Sequence, residues 1–306
     1  MKIGIWNLEP RFRNLALDKV EIYHQQKGDS IEHNFFLGQY DKVYCSAIFD
    51  WTPAEHKELP YHLIQVGGSG FSLDTTLPKE IDAIEPHHNY GYTTRGCIRN
   101  CPFCIVRQKE GYIQATGDID SLWDRKSKEI TLLDNNILAL PEHFARNCEQ
   151  ARQLGLKLDW NQGLDHKLLT PELIDTIQSV RHHELRFAFD SPKSIKTVEK
   201  VINLLQSKGI KRCSWYVLVG FDTTMEQDLF RLNYLRDRNQ SAYVQRYRSG
   251  KIPPKIKRDK QELIPLARWA NQHHIFRGMN WKQFLEHPDN RGRYRYLQGR
   301  GQPFYE

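Results

Sequence analysis

The sequence predicts an α/β protein: a small doubly wound unit, then a parallel barrel or partial barrel of strand and helix pairs, then a basic carboxyl-terminal extension. Three observations predict it. Short apolar runs alternate with amphipathic segments in two successive series, the pattern of parallel sheets covered by helices. A turn-rich stretch around Pro78 and Pro86 separates the two series. At 306 residues the chain is long enough for one barrel-sized domain and one small one. The divisions fall at residues 1–80, 81–250 and 251–306.

In the first unit, Ile3 to Leu8 reads as a buried strand and Asn14 to Lys27 as an amphipathic helix closed by Gly28. Ser30 to Phe36, Tyr40 to Phe49 and His62 to Val66 read as strands, the last running into Gly67-Gly68-Ser69-Gly70. Strands alternating with helical sequence make this a Rossmann-like, doubly wound unit.

The second series has six strand candidates, Tyr90 to Arg95, Glu129 to Asp134, Leu156 to Asn161, Leu185 to Asp190, Cys213 to Gly220 and Ala242 to Tyr247, each followed by helical sequence. Pro141, Pro171 and Pro192 fall in first turns of the intervening helices, where a missing amide hydrogen costs little. Beyond Ser249 the run Lys251-Ile252-Pro253-Pro254-Lys255-Ile256-Lys257-Arg258 reads as an extended basic connector leading to a helix from Gln261 to His274.

The charge is unevenly placed. From Ser241 to Glu306 there are 14 Lys and Arg against 5 Asp and Glu, leaving 30 against 32 in the first 240 residues. Such asymmetry points to an anionic partner, and alternating Arg and Tyr in Arg291-Gly292-Arg293-Tyr294-Arg295-Tyr296 could contact phosphates and stack on bases. The plainer alternative is a solvated terminus packing its aromatics over the barrel. Met1-Lys2-Ile3-Gly4-Ile5-Trp6 carries no secretory pattern, and no apolar run approaches the roughly 18 residues of a membrane span, so a cytoplasmic protein without a membrane partner is expected.

Six cysteines do not form a disulfide-like spread. Cys97, Cys101 and Cys104 crowd into eight residues while Cys45, Cys148 and Cys213 stand alone, which fits a reducing compartment. The segment Cys97-Ile98-Arg99-Asn100-Cys101-Pro102-Phe103-Cys104 follows a strand candidate directly. Thiolates ligate iron–sulfur clusters, and three of them on a four-iron cubane leave one iron open for a ligand. Spacing alone also allows a zinc site completed by His87 or His88, or buried thiols with no ligand role. His182-His183 and His273-His274 read as helix-end or surface residues.

Three cysteines spaced by three and then two residues, with the aromatic Phe103 before the last, on a loop after the first of six strand and helix units, resemble the radical S-adenosylmethionine (SAM) superfamily. The resemblance spans about residues 88 to 248. It implies a partial (β/α)6 TIM-like barrel and a 4Fe-4S cluster on Cys97, Cys101 and Cys104. SAM would chelate the open iron and be cleaved reductively to methionine and a 5′-deoxyadenosyl radical that abstracts hydrogen from a substrate. An external electron donor is implied as well. The family often has Gly-Gly-Glu after the second barrel strand, against the SAM amino group; Asp134-Asn135-Asn136 stands there instead, with Asn135 and Asn136 able to accept the same hydrogen bond or to cap a helix. Gln162 and Asp165 end the third strand, Asp190 and Ser191 end the fourth at a position resembling the ribose contact, and Gly220 ends the fifth where the family packs adenine. Helix capping by Ser191 and turn geometry at Gly220 are the alternatives.

The first unit resembles the cobalamin-binding domain preceding the barrel in one radical SAM subgroup, through Gly67-Gly68 after a late strand. The Asp-x-His-x-x-Gly signature is absent, the sequence after the first strand being Asn7-Leu8-Glu9-Pro10. A degenerate scaffold or substrate-docking unit is the alternative to a cobalamin site, and cobalamin-dependent methyl transfer the alternative outcome. Two other classes remain: a zinc-bearing nucleic-acid-binding module, and an iron–sulfur electron carrier.

Overall fold

The computed structural model describes residues 1–33, 38–52, 64–249, 251–290 and 293–294. The chain opens with β1 (Lys2–Asn7), α1 (Leu15–Gln26), β2 (Ser30–His33), β3 (Lys42–Ser46) and β4 (Ile64–Gly67). These strands form one parallel sheet in the order β2-β1-β3-β4. Helix α1 begins where the Asn14 side chain accepts from Leu17 N, and Gly28 beyond its end adopts φ +75°. Ile3 and Ile5 of β1, Leu17 and Val20 of α1 and Tyr44 of β3 form a small core that Ile81 of α2 (Lys79–Asp82) completes. Phe36 and His62, the outer ends of two expected strands, lie outside the described residues.

The second series runs β5 (Tyr90–Gly91), β6 (Thr94–Arg95), α3 (Val106–Glu110), β7 (Gln114–Ala115), α4 (Ile119–Leu122), β8 (Glu129–Leu132), α5 (Pro141–Gln153) and β9 (Lys157–Trp160). It continues with α6 (Pro171–Gln178), β10 (Arg181–His182), β11 (Arg186–Ala188), α7 (Ile195–Ser207), β12 (Ser214–Val219), α8 (Met225–Asp237) and β13 (Ser241–Arg246). Its parallel strands form two sheets, β10-β9-β8-β5 and β11-β12-β13. The sheets approach one another where Leu164 N donates to Arg186 O at 2.7 Å. Along β12, Trp215, Val217 and Val219 are buried while Tyr216 and Leu218 are half-buried, the alternation of a strand covered by helices on one face only. Pro141 and Pro171 open α5 and α6, and Pro192 opens the 3₁₀ turn Pro192–Ser194, as the sequence led us to expect.

One expected strand divides. Tyr90–Gly91 pairs in parallel with Thr131 and Leu132, but Thr94–Arg95 leaves that sheet and pairs antiparallel with Gln114–Ala115. The amides of Thr93 and Thr94 are taken by the Asp134 carboxylate rather than by a neighbouring strand, and Gly96 turns the chain at φ +85°. His182 and His183 also depart from expectation, lying in and just after the short strand β10 rather than at a helix end.

The carboxyl-terminal segment is not an appendage. Helices α9 (Lys260–Ala270), α10 (His273–Gly278) and α11 (Trp281–Glu286) supply Leu266, Trp269, Phe276 and Phe284 to the same core as the second series. The helix expected from Gln261 to His274 stops at Ala270, and His273 begins the next, so these histidines sit at the amino-terminal end of a helix. No helix among the described residues is long and apolar enough to cross a membrane.

Candidate metal centre

The loop bearing Cys97, Cys101 and Cys104 leaves the carboxyl-terminal side of β5, the end of a parallel sheet where ligands gather. Its entrance is fixed by Asp134, just beyond β8. One oxygen of that carboxylate accepts from Thr93 N (3.0 Å), Thr93 Oγ1 (3.1 Å), Thr94 Oγ1 (2.6 Å) and Thr94 N. Thr93 and Thr94 are fully buried, and burial pushes the Asp134 carboxyl above its ordinary range against the pull of these donors. Its other oxygen is buried without a partner among the described residues.

Cys97, Cys101 and Cys104 are free and half-buried, whereas Cys45, Cys148 and Cys213 are fully buried. Burial pushes each of those last three thiols up to about 12, which leaves them inert core residues. Cys104 N donates to Cys101 O at 3.0 Å, folding the second half of the motif into a tight turn. The Cys97 sulfur receives Arg99 N at 3.3 Å and Asn136 Nδ2 at 3.4 Å. Such donors are what tunes a cluster sulfur. Among the described residues no three His, Cys, Asp or Glu side chains are gathered closely enough to hold a single metal ion. Ligands of one zinc must converge at about 2.0–2.3 Å, whereas the cysteines of a cubane each take a different iron. His87 is exposed, 3.9 Å from Glu85, and completes no such site.

Asn136 and Asp165 meet beside the loop. Asp165 Oδ2 accepts from Asn136 Nδ2 at 3.1 Å and from Arg99 Nε at 2.8 Å. Burial alone would raise the Asp165 carboxyl, but the hydrogen bond and charge of Arg99, with help from Asn136, hold it below its ordinary range. Asn136 makes no cap hydrogen bond to the 3₁₀ turn it precedes, and its Oδ1 is buried without a partner among the described residues. That orphaned acceptor fits an ammonium donor such as the SAM amino group. Asn135 instead donates to Glu110 Oε2 at 3.0 Å, and Gln162 is exposed.

Other expected contacts have local explanations. Ser191 accepts from Lys193 N at 3.3 Å, capping the 3₁₀ turn. Gly220 has φ +85°, and an added Cβ would lie 2.5 Å from Leu263 Cδ1 of α9, so turn and packing account for the glycine without adenine. Asp190 Oδ1 accepts from Leu218 N at 3.0 Å, and burial pushes its carboxyl up. Phe103 packs edge-on to Phe221 at 5.6 Å, with Tyr247 behind it at 4.9 Å.

Sequence reasoning missed Arg99, Glu110 and His166. Arg99 lies inside the cysteine motif, and that adjacency was its only signal. Glu110, at the end of α3, binds Arg95 Nη2 at 2.7 Å, Gly96 N at 2.9 Å and Asn135, tying the loop's two ends together. Burial lowers His166 to about 4, so its imidazole is neutral, and Nε2 is buried without a partner among the described residues.

Cobalamin is not matched by the residues present. An added Cβ at Gly68 would lie 2.2 Å from Ala47 O, and one at Gly70 2.5 Å from Phe49 O, so those glycines accommodate their own unit. Glu9, where the lower-ligand signature would begin, accepts from Ile48 N and Phe49 N at 2.9 and 3.1 Å. Between this edge and the second series, a cavity of about 550 Å³ is lined by Ser46, Gly67 and Gly68 on one side and Tyr90, Arg95 and Lys109 on the other. That is the size of a site for one drug-sized ligand.

The basic connector is also partly committed. Arg258, only 6% exposed, pairs with Asp228 and donates to Thr223 O at 3.1 Å, while Arg231 beside it is fully buried on Asp228 Oδ1 at 2.5 Å. Lys251 Nζ donates to Ser69 O at 2.5 Å. Tyr294 is buried against Phe284 rather than presented for stacking, and Arg291, Arg295 and Tyr296 lie outside the described residues. Comparison with protein-family models finds none that matches the chain, and comparison with curated proteins finds no match.

Proposed function

We propose that the chain is a radical SAM enzyme in which Cys97, Cys101 and Cys104 hold a 4Fe-4S cluster on a partial (β/α)6 barrel. In this reading β5, β8, β9, β10 with β11, β12 and β13 are the six barrel strands. The observation that carries it is the cysteine loop at the carboxyl end of the first parallel strand, with Asn136 beside it donating to the Cys97 sulfur and keeping a buried acceptor free. A simple electron carrier has no use for such an acceptor.

When bound, the cluster supplies the electron that cleaves SAM to methionine and a 5′-deoxyadenosyl radical, the step on which the family's chemistry rests. The chain's own residues position and shield. Asp134 fixes the loop entrance, Arg99 and Asp165 brace its first half, and Glu110 closes its base through Arg95, Gly96 and Asn135. Asn136 Oδ1 would accept from the methionyl ammonium, and Asp190, just beyond the end of β11, would be the residue to meet the ribose hydroxyls. Phe103, next to the last cysteine in the chain, packs edge-on to Phe221 and gives that end of the loop an apolar side.

The test is anaerobic reconstitution with iron and sulfide, incubation with SAM and dithionite, and chromatography for 5′-deoxyadenosine, with Cys104→Ala beside wild type. Product that depends on Cys104 supports the reading; a stable cluster without SAM cleavage, or zinc in place of iron, overturns it.

A further inference from the structure

We propose that the cavity between the first unit and the second series binds a phosphomonoester carried on a sugar, with Lys109 at its phosphate end. The site stands whether or not the cysteines hold a cluster. From the second series the cavity of about 550 Å³ takes two cations, Arg95 and Lys109, and they are differently committed. Arg95 pairs with Glu110 Oε1 at 2.7 Å and lies over the Tyr92 ring, 4.3 Å from its centroid. Lys109 is half-buried and has no carboxylate within ion-pairing distance among the described residues; the hydrogen bond its ammonium makes there runs from Nζ to Ser69 Oγ at 2.5 Å.

The charge at this end of the cavity is of one sign. Burial pushes the Lys109 ammonium below its ordinary range, and the charges of Arg95 and Lys251 push the same way. Lys251 is held close because its Nζ donates to Ser69 O at 2.5 Å, so two ammonium groups flank one serine, next in the chain to the cavity-lining Gly68. Glu110 is the carboxylate whose charge reaches Lys109, and its oxygens are already taken, Oε1 by Arg95 and Oε2 by Gly96 N at 2.9 Å and Asn135 Nδ2 at 3.0 Å. Arg95, Lys109 and Lys251 thus share one occupied carboxylate, and a half-buried ammonium without a counter-ion is what an incoming anion relieves. A phosphomonoester dianion answers such an excess better than a single carboxylate, and lysine is a usual point-charge partner of phosphate. The remaining wall suits a sugar. Gln65, Thr75, Gln114 and Thr116 line it, and their side chains make no hydrogen bond among the described residues, which leaves neutral donors and acceptors for hydroxyl groups.

The experiment is calorimetry on the full chain with ribose 5-phosphate and with adenosine monophosphate, each beside its dephosphorylated counterpart, and with inorganic phosphate as competitor. At least one of the two esters should bind about tenfold or more tightly than ribose or adenosine, inorganic phosphate should displace it, and its affinity should fall with salt. The tighter ester tells whether the phosphate arrives on a free sugar or on a nucleoside. Lys109→Gln should weaken binding of that ester by about tenfold or more and leave binding of the dephosphorylated counterpart as in wild type. Lys109→Met, without ligand, should melt at the wild-type temperature or above it, since it removes a half-buried charge that lacks a carboxylate. Ester binding unchanged in Lys109→Gln, or esters that bind no tighter than their dephosphorylated counterparts, would overturn the site. So would inorganic phosphate binding as tightly as either ester, which would mean an adventitious ion only. A Lys109→Met protein that melts well below wild type would also overturn it, by showing that the ammonium is spent as a strut to Ser69.

Discussion

Arg99 and Asp165 meet across 66 residues of sequence, Nε 2.8 Å from Oδ2, and the same carboxylate oxygen also holds Asn136, whose amide reaches the Cys97 sulfur. The cysteine loop is thus braced by the segment after β9 through a single carboxylate, and a change at Asp165 is transmitted to the loop without touching a cysteine.

Replacing Asp165 with Asn should leave the fold intact and lower 5′-deoxyadenosine formation by about 10- to 100-fold, the usual cost of losing an outer partner of a metal ligand. Arg99→Ala should do the same. The pH dependence follows from the sign of the shift. The Asp165 carboxyl is held low in the fold, so its stabilisation is complete above the unfolded value of about 3.9 and is lost as pH falls through the lower folded value. Urea titrations of wild type and Asp165→Asn between pH 2 and 6 should therefore converge toward the acid end. Parallel curves throughout would show that the ion pair does nothing for stability.

The cysteines divide into two sets by environment. Ala at Cys97, Cys101 or Cys104 should remove iron and labile sulfide from the reconstituted protein, while Ala at Cys45, Cys148 or Cys213 should retain both and lose about 1–3 kcal/mol of stability from the buried sites. Iron and sulfide analysis beside thermal melts separates the outcomes. A full cluster in any member of the first set would remove the assignment.

Much of the fold was legible because its signals are local. Asn14 and Gly28 bracket α1, and the apolar runs of Lys42–Ser46, Lys157–Trp160 and Ser214–Val219 bury alternate or successive residues in the way their sequence requires. The division of Tyr90 to Arg95 was not legible, because it depends on Asp134 some 40 residues away capturing two strand amides. Ser191 and Gly220 left ligand contact and local geometry both open in the sequence; the cap to Lys193 N was among those readings, whereas the close approach of Leu263 to Gly220 is a tertiary fact that no spacing reveals. A count of the excess charge in the last fifth of the chain does not show that Arg258 spends its charge on the buried Asp228. Glu110 had no signal of its own, because its role comes from which loop ends the fold brings together.

Asp134 gives a second pH test with the opposite sign. Its carboxyl is raised by burial, so the protonated form is favoured in the fold; that contribution is full below about pH 3.9 and is lost as pH rises through the folded value. Asp134→Asn cannot ionise and still offers an acceptor to Thr93 and Thr94. Its stability relative to wild type, measured by urea unfolding, should rise between about pH 4 and 7. Asp134→Ala should be destabilised by about 3 kcal/mol near pH 4, because it leaves four buried donors unpaired, and the deficit should narrow toward pH 7 as the wild type loses its own contribution. A pH-independent difference for the Asn variant would mean that the carboxylate stays charged in the fold.

The last prediction separates a structural carboxyl-terminal segment from an anion-binding tail. Arg258 and Arg231 share the buried Asp228 carboxylate, and Trp269 of α9 is fully buried against Phe276 and Trp281. Removing one cation of a buried pair costs about 3–5 kcal/mol, and Trp269→Ala about the same through the cavity it leaves. Both variants should therefore melt at markedly lower temperature, and a chain ending at residue 250 should fail to fold, since it lacks one wall of the main core. If the segment were instead a solvated arm for nucleic acid, Arg258→Ala would leave the melting temperature unchanged and reduce the salt slope of oligonucleotide binding by about one. Asp228→Asn distinguishes the two without removing a positive charge: it should destabilise the fold by exposing the buried guanidinium groups to an unpaired interior, and an arm that merely contacts phosphates would not register it at all.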